Sequence, residues 1–395
     1  MISVTEALAR CLDLAQPLGV EDIPLRHAAG RVLARPVAAM RDQPPFAASA
    51  MDGYAIRKAD LCLGARLRVV GAAPAGQAWQ GQIGQGEAVR IFTGAPLPQG
   101  ADHIVIQEDV TAAEDHIVIN AVDDAPHIRP AGADFKAGAE MTPPRRLTPA
   151  DLALAAAMNA PRLSVYRRPE VAIIATGDEL VSPGETPRPD QIIASNTYGL
   201  AAMAEAEGAV VRLLPIARDR RDSLAATFEM AKGADLIVTV GGASVGDHDL
   251  VGAVAQDLGL ERSFYKIAMR PGKPLMAGRM GDAALLGLPG NPVSAMVCGH
   301  IFMVPQLRAF QGLPKSPRRT KQAQLSTDLP ANGPRAHYMR ASLAPQKGAA
   351  LPHIAPFTSQ DSALLTIFAE AGALLIRPPH DGPRKAGDIV DYLSL

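Results

Sequence analysis

Apolar residues recur along this chain with two different periods, and the change of period marks its organisation. From Pro169 to about residue 313, short apolar runs alternate with longer amphipathic stretches. Val171–Ala175, Val210–Pro215, Leu236–Val240, Phe264–Ala268 and Ala284–Leu288 predict strands, while 196–207, 221–232, 247–258 and 292–311 predict helices. Apolar strands separated by helices predict a mostly parallel sheet covered on both faces. Ligands of such sheets sit beyond the carboxyl ends of the strands. That edge carries Thr176-Gly177-Asp178-Glu179, the loop from Gly241, and Gly290-Asn291-Pro292.

Elsewhere the texture is different. Residues 46–136 show short β-like runs (Leu67–Val70, Ala88–Phe92, His103–Gln107, Ile117–Ile119) punctuated by glycine and proline, which predicts a small β module. The chain starts directly with a helical pattern in which Ser3 and Glu6 have capping-box spacing. A second helix is predicted over Thr148–Asn159, with Thr148 as N-cap and Pro149 at its first position. Beyond a Pro/Arg-rich linker at Pro314–Arg319, short strands run to Leu395.

Composition narrows the options. At 395 residues, two to four domains are expected. A formal net charge of −1 argues against bulk electrostatic binding to nucleic acid or an anionic membrane. Cys11, Cys62 and Cys298 make no disulfide framework and suggest a reducing, cytoplasmic setting. The N-terminus lacks the pattern of a signal peptide. The most apolar helix, Val293–Val304, carries His300 and reads as too short for a membrane span.

Candidate chemistry concentrates at the ligand-facing edge. In LIVTVGGASVGDHD (236–249) a strand runs into glycines and then into Asp247 and Asp249. Backbone N–H groups and a helix N-terminus there suit a phosphate. The carboxylates suit it only with a cation between, although Asp247 reads equally well as a helix N-cap. In ATGDEL (175–180), Asp178 and Glu179 are either metal ligands or solvated acids, and Thr176 and the Gly177 N–H are candidate anion donors. Lys266, Arg270 and Lys273 place three cations within eight residues around a PGKP turn, an arrangement suited to an oxyanion. In LGLPGNPVSA (287–295), Asn291 and Pro292 start a helix whose N–H groups offer a second anion cradle. The loops around Asp52, Thr93 and Asp134 each read as ordinary turns when taken alone. No Walker-A, GxGxxG or HExxH pattern is present, which argues against P-loop, nicotinamide and zinc chemistry.

Eight stretches in order, SAMDGYA, FTGAPLP, IRPAGADFKAG, IATGDEL, SNTYGL, GGASVGDHD, KIAMRPGKP and LGLPGNPVSA, resemble the molybdopterin molybdenumtransferase family, the MoeA type that includes the E domain of gephyrin. The resemblance implies a multi-domain α/β plus β fold. Residues 1–45 and 137–168 would form a segmented helical/β domain, with an inserted β domain at 46–136. A central, mostly parallel α/β domain with helices on both faces would span 169–318, and a C-terminal β domain 319–395. It also implies a homodimer whose active site lies in a cleft shared between subunits. The implied reaction is metal-dependent: adenylyl-molybdopterin and molybdate give molybdenum cofactor and AMP.

Carried onto this chain, the resemblance implies catalytic roles for Asp52, Thr93, Asp134, Glu179 and Asp219. Substrate contacts fall on Thr176, Gly177, Ser195, Asn196, Gly241, Gly242, Ser244 and Gly246, on Lys266, Arg270 and Lys273, and on Pro289, Gly290, Pro292, Arg340 and Ser359. Mg²⁺ would be held by Glu179, Asp247 and Asp249. Arg270 departs from the lysine expected of the pattern, retaining charge but presenting a forked donor. An upstream adenylyltransferase and apo-molybdoenzymes are the implied protein partners, with neither nucleic acid nor membrane. Two other readings remain at this level: a molybdopterin adenylyltransferase, and a non-catalytic scaffold of the gephyrin kind.

Overall fold

The computed structural model describes residues 1–242, 250–345 and 350–395. The chain divides into two compact units, one of Met1–Glu21, Gly30–Ala34 and Val165–Leu395, the other of Asp22–Ala29 and Arg35–Ser164.

The first unit is built around a six-stranded sheet. In chain order its elements are β1 (Glu170–Ala175), α1 (Asn196–Ala206), β2 (Val210–Leu213), α2 (Arg221–Met230), β3 (Leu236–Val240), α3 (Leu250–Asp257), β4 (Leu260–Tyr265), β5 (Met276–Met280), β6 (Ala283–Leu288) and α4 (Pro292–Phe310). The strand order is β2-β1-β3-β6-β5-β4. The first four strands are parallel, and β5 and β4 add an antiparallel edge.

Strand alternation explains the apolar runs. Val171, Ile173, Leu236, Val238 and Val240 enter one core, with the N-terminal helix Val4–Leu14, α1 and α4. Ala172, Ile174 and Ile237 enter the other, with Leu224 and Phe228 of α2 and Val251 and Val254 of α3. Burial on both faces removes the polar half of the usual alternation. Because β1 lies between β2 and β3, the chain reverses direction across the sheet between β1 and β3, which opens a crevice at their carboxyl ends.

Two expectations change here. The strand expected at Phe264–Ala268 is instead Leu260–Tyr265, because Lys266 takes a left-handed conformation (φ 67°) that ends it. Its partner β5 was not anticipated from MAGRM. Helix α4 runs as expected to within a residue, through a π-helical turn at Gly299–Met303 to Phe310. Its 19 residues are long and apolar enough to cross a membrane, correcting the reading of this segment as too short. However, 83% of its apolar window is buried in the protein.

The C-terminal strands close on themselves. Ala336–Ala344 pairs with both His353–Pro356 and Ala373–Arg377, and Lys321–Leu325 and Ile389–Ser394 complete the ring. Met269–Arg270 pairs in parallel with the start of Ala336–Ala344, so the PGKP turn leaves from the barrel wall.

In the second unit, the six-stranded sheet runs His103–Ile106, Gly53–Ile56, Glu87–Ile91, Arg66–Ala73, His116–Ile119, Val110–Ala112. Gly53–Ile56 falls inside a segment expected to be only a turn, yet all four residues are buried. A Cβ on Gly53 would stand 2.1 Å from the Val105 carbonyl oxygen, so glycine permits close strand packing here.

Candidate functional site

A cavity of about 1100 Å³ opens at the carboxyl ends of β1, β3 and β6. Three loops make its floor, and they are packed too tightly for side chains. A Cβ on Gly241 would come within 2.7 Å of the Thr176 carbonyl oxygen, and one on Gly242 within 2.1 Å of Val251 Cγ2. Both glycines also have positive φ, 94° and 66°. A Cβ on Gly290 would sit 3.4 Å from Gly241 Cα. The glycines thus serve conformation and close approach together.

The donors of this floor differ from expectation. Gly177 N–H donates to the Ala217 carbonyl at 3.1 Å, and Gly241 N–H to that of Leu288 at 3.1 Å. Neither is free for an anion. At the start of α4, Val293 N–H donates to the Ser362 carbonyl at 3.0 Å, and Asn291 Nδ2 to Ser362 Oγ at 3.1 Å. The expected second anion cradle therefore has its first N–H already occupied by a loop of the C-terminal barrel. These groups line the cavity, but their N–H hydrogens are committed to holding the loops together.

Of the residues singled out from sequence, Thr176, Gly177 and Glu179 line the cavity from the β1 side. Ser195, Asn196 and Asp219 line it from neighbouring loops. Gly241, Gly242, Pro289, Gly290 and Pro292 complete the floor. Asn196 Nδ2 donates to the Gly290 carbonyl at 2.7 Å, tying α1 to the β6 loop. Ser244, Gly246, Asp247 and Asp249 lie outside the described residues.

The cations do not line this cavity; of their turn only Pro274 does. Strand β4 does run toward the same edge. It lies three strands from β3, however, a distance of about 14 Å at ordinary strand spacing. Lys266 rests its ammonium 4.8 Å from the Tyr265 ring centroid. Arg270 pairs in register with His337, whose imidazole is pushed down to about 4 by burial and then by the positive charges of Arg270, Arg377, Arg335 and Arg340. Arg340 is 2% exposed, and its Nη2 donates to the Ser359 carbonyl at 3.4 Å, so these two residues do meet.

In the second unit Asp52 and Thr93 also meet. Thr93 N–H and Oγ1 both donate to Asp52 Oδ1, at 2.7 and 2.8 Å. These bonds hold the Asp52 carboxyl below its ordinary range, the backbone N–H contributing most. Asp134 is exposed on a separate loop, its N–H donating to the Gln43 carbonyl.

Sequence reasoning missed several cavity residues. Ile192 and Ile193 are 59% and 39% exposed and form an apolar wall. A solvent-facing Ile-Ile pair after a Pro-rich turn was the available signal. Arg221 also lines the cavity and pairs with Asp257. Nothing local marked it out among the neighbouring arginines.

Comparisons with known proteins cover nearly the whole chain. Residues 2–159 match the MoeA N-terminal region (domain I and II), 172–309 a probable molybdopterin binding domain, and 322–395 the MoeA C-terminal region (domain IV). A Nostoc sp. protein named molybdopterin molybdenumtransferase is 36% identical over 91% of this chain and 85% of its own length. A Bacillus subtilis protein of the same name is 32% identical over 100% of this chain and 94% of its own. The crystal structure of the molybdopterin biosynthesis MoeA protein from Pyrococcus horikoshii superposes with a TM-score of 0.82 at 28% identity, covering 100% of this chain and 99% of that one. With three successive matches spanning nearly its whole length, the chain belongs to the MoeA family.

Proposed function

We propose that this protein is a molybdopterin molybdenumtransferase that takes molybdenum from molybdate into adenylyl-molybdopterin and releases AMP. One observation carries the reading: a 1100 Å³ cavity at the switch point of the α/β sheet, floored by Thr176, Gly241 and Gly290, in a chain of this family. The cavity is large enough for an adenylylated pterin. Ile192 and Ile193 offer a flat heteroaromatic ring an apolar surface.

The residues divide the work by chemistry. Asn196 and Ser195 supply polar contacts at the wall, and Arg221 a cation for phosphate oxygens. Lys266, Arg270 and Lys273, together with Arg340 and Ser359, are the groups proposed to hold molybdate, a tetrahedral dianion. Among the described residues the cavity is lined by two carboxylates, Glu179 and Asp219, and by no histidine or cysteine. That hard-oxygen set fits Mg²⁺, which commonly takes one or two carboxylates plus substrate phosphates. Glu179 would hold it, with Asp247 and Asp249 as further proposed ligands, and the bound ion would neutralise charge on the phosphoanhydride. Asp52, Thr93 and Asp134 are proposed to orient substrate or water. A cytoplasmic homodimer is part of the same proposal, as are the upstream adenylyltransferase and apo-molybdoenzymes as partners.

The test is AMP release from adenylyl-molybdopterin with Mg²⁺, with and without molybdate. The expected result is molybdate-dependent release that falls on the order of 100-fold in a folded Glu179→Ala variant. Release that ignores molybdate, or no release, would overturn the proposal.

A further inference from the structure

Behind the cavity, one guanidinium gathers the loop that carries Glu179. Arg218 Nη1 donates to the carbonyl oxygens of Gly177 at 3.4 Å, Asp178 at 3.1 Å and Leu180 at 2.9 Å. The remaining carbonyl of the loop, that of Glu179, accepts from Ile192 N–H at 2.8 Å. Arg218 is itself fixed, because its backbone N–H donates to Ser223 Oγ at 2.9 Å. The adjacent Asp219 N–H donates to Asp178 Oδ1 at 3.2 Å. All four loop carbonyls are thus engaged. Only the Glu179 side chain turns back, over Gly177, where a Cβ would lie 2.3 Å from Glu179 Oε2. Gly177, at φ 147°, leaves room for that carboxylate.

A guanidinium is well matched to this task. Its Nη1 shares two N–H groups among the three carbonyls, and the group stays charged throughout the working pH range with no acceptor to compete with them.

We propose that Arg218 is a positioning residue for the reaction: it fixes the Gly177–Leu180 loop so that the Glu179 carboxylate faces the cavity. The inference deepens the proposed transferase activity and rests on it for its kinetic consequence. Arg218 acts through Glu179 and touches no substrate.

A double-mutant cycle on the full chain tests this, with Arg218→Ala, Glu179→Ala and the pair. Arg218→Ala is expected to lower kcat on the order of 10- to 100-fold, with KM changed by less than about threefold. In the Glu179→Ala background the same change should cost no further kcat, while its effect on Tm should be equal in both backgrounds. Arg218→Lys should recover part of kcat, and it replaces Arg218→Ala in the cycle if the alanine variant does not fold. Additive kcat losses would overturn the proposal, since Arg218 would then serve something other than Glu179. Should the wild type release no AMP in response to molybdate, the transferase reading fails separately. The clamp is then decided by amide hydrogen exchange: faster exchange at Asp178–Leu180 in the variant, with β1 unchanged, supports it, and unchanged exchange refutes it.

Discussion

Asp52 illustrates what a sequence hides at the scale of one residue. In SAMDGYA it is a lone acid in a turn, and FTGA forty residues on is another turn. The fold brings Thr93 onto the same carboxylate oxygen through two donors, backbone and hydroxyl. The cation Arg90 stands close enough to add to the effect, stacked over the rings of Tyr54 and Phe92. All three influences favour the ionised form. Thr93→Val removes the hydroxyl donor and keeps the N–H, which is the larger influence. The Asp52 carboxyl should therefore titrate higher than in the wild type but still below the usual carboxylate range, as read from its side-chain carbon-13 shift against pH. If the reaction uses ionised Asp52, the acid limb of its pH profile should move up by the same amount. ATGDEL alone offered Glu179 as either a metal ligand or a solvated acid. Its clamp was not legible, because Arg218 lies some forty residues further along and approaches through main-chain carbonyls that no side-chain motif records.

Among the elements, the parallel strands were the most legible because burial on both faces makes their sequences continuously apolar. β1, β3 and β6 were each found to within a residue. The antiparallel edge was harder to read. Met276–Met280 mixes glycine and arginine into a short run, and only its pairing with β4 and β6 makes it a strand. The extent of α4 was read to within a residue, although His300 interrupts its apolar character. In the structure that histidine lies in the π-helical turn, its Nδ1 2.6 Å from Arg318 Nη1, while Arg318 Nη2 donates to the Ser394 carbonyl.

Burial, and then the charge of Arg318, push the His300 imidazole down to about 4 from its usual 6.5. The folded chain thus binds fewer protons than the unfolded chain between those values, and stability rises with pH across that window. The contribution is present above about 6.5 and is lost as pH falls toward 4. His337 adds a second term of the same sign. Urea unfolding should show stability declining on the order of 1 kcal/mol per pH unit for each histidine within the window. His300→Gln keeps an acceptor for Arg318 without the titration, so it should flatten the slope. An unchanged slope would assign the acid sensitivity elsewhere.

At the scale of the whole molecule, the groups proposed to work together are divided between two compact units of one chain. Glu179 and Asp219 belong to the unit that holds Val165–Leu395, while Asp52, Thr93 and Asp134 belong to the other. The proposed homodimer gives this division a consequence that can be measured. Asp52→Ala and Glu179→Ala variants should each form dimers of two 41.4 kDa chains and each be nearly inactive. If every active centre takes Glu179 from one chain and Asp52 from the other, dissociating and reassociating an equal mixture makes half of the dimers heterodimers. Each heterodimer then has one centre with both groups intact and one with neither. Activity should return to about a quarter of the wild-type value per chain, as the two-fold symmetry of a dimer requires. Centres formed within single chains would regain nothing on mixing, since every chain would still carry one lesion. Sedimentation equilibrium on the same samples separates this outcome from failure to form dimers at all.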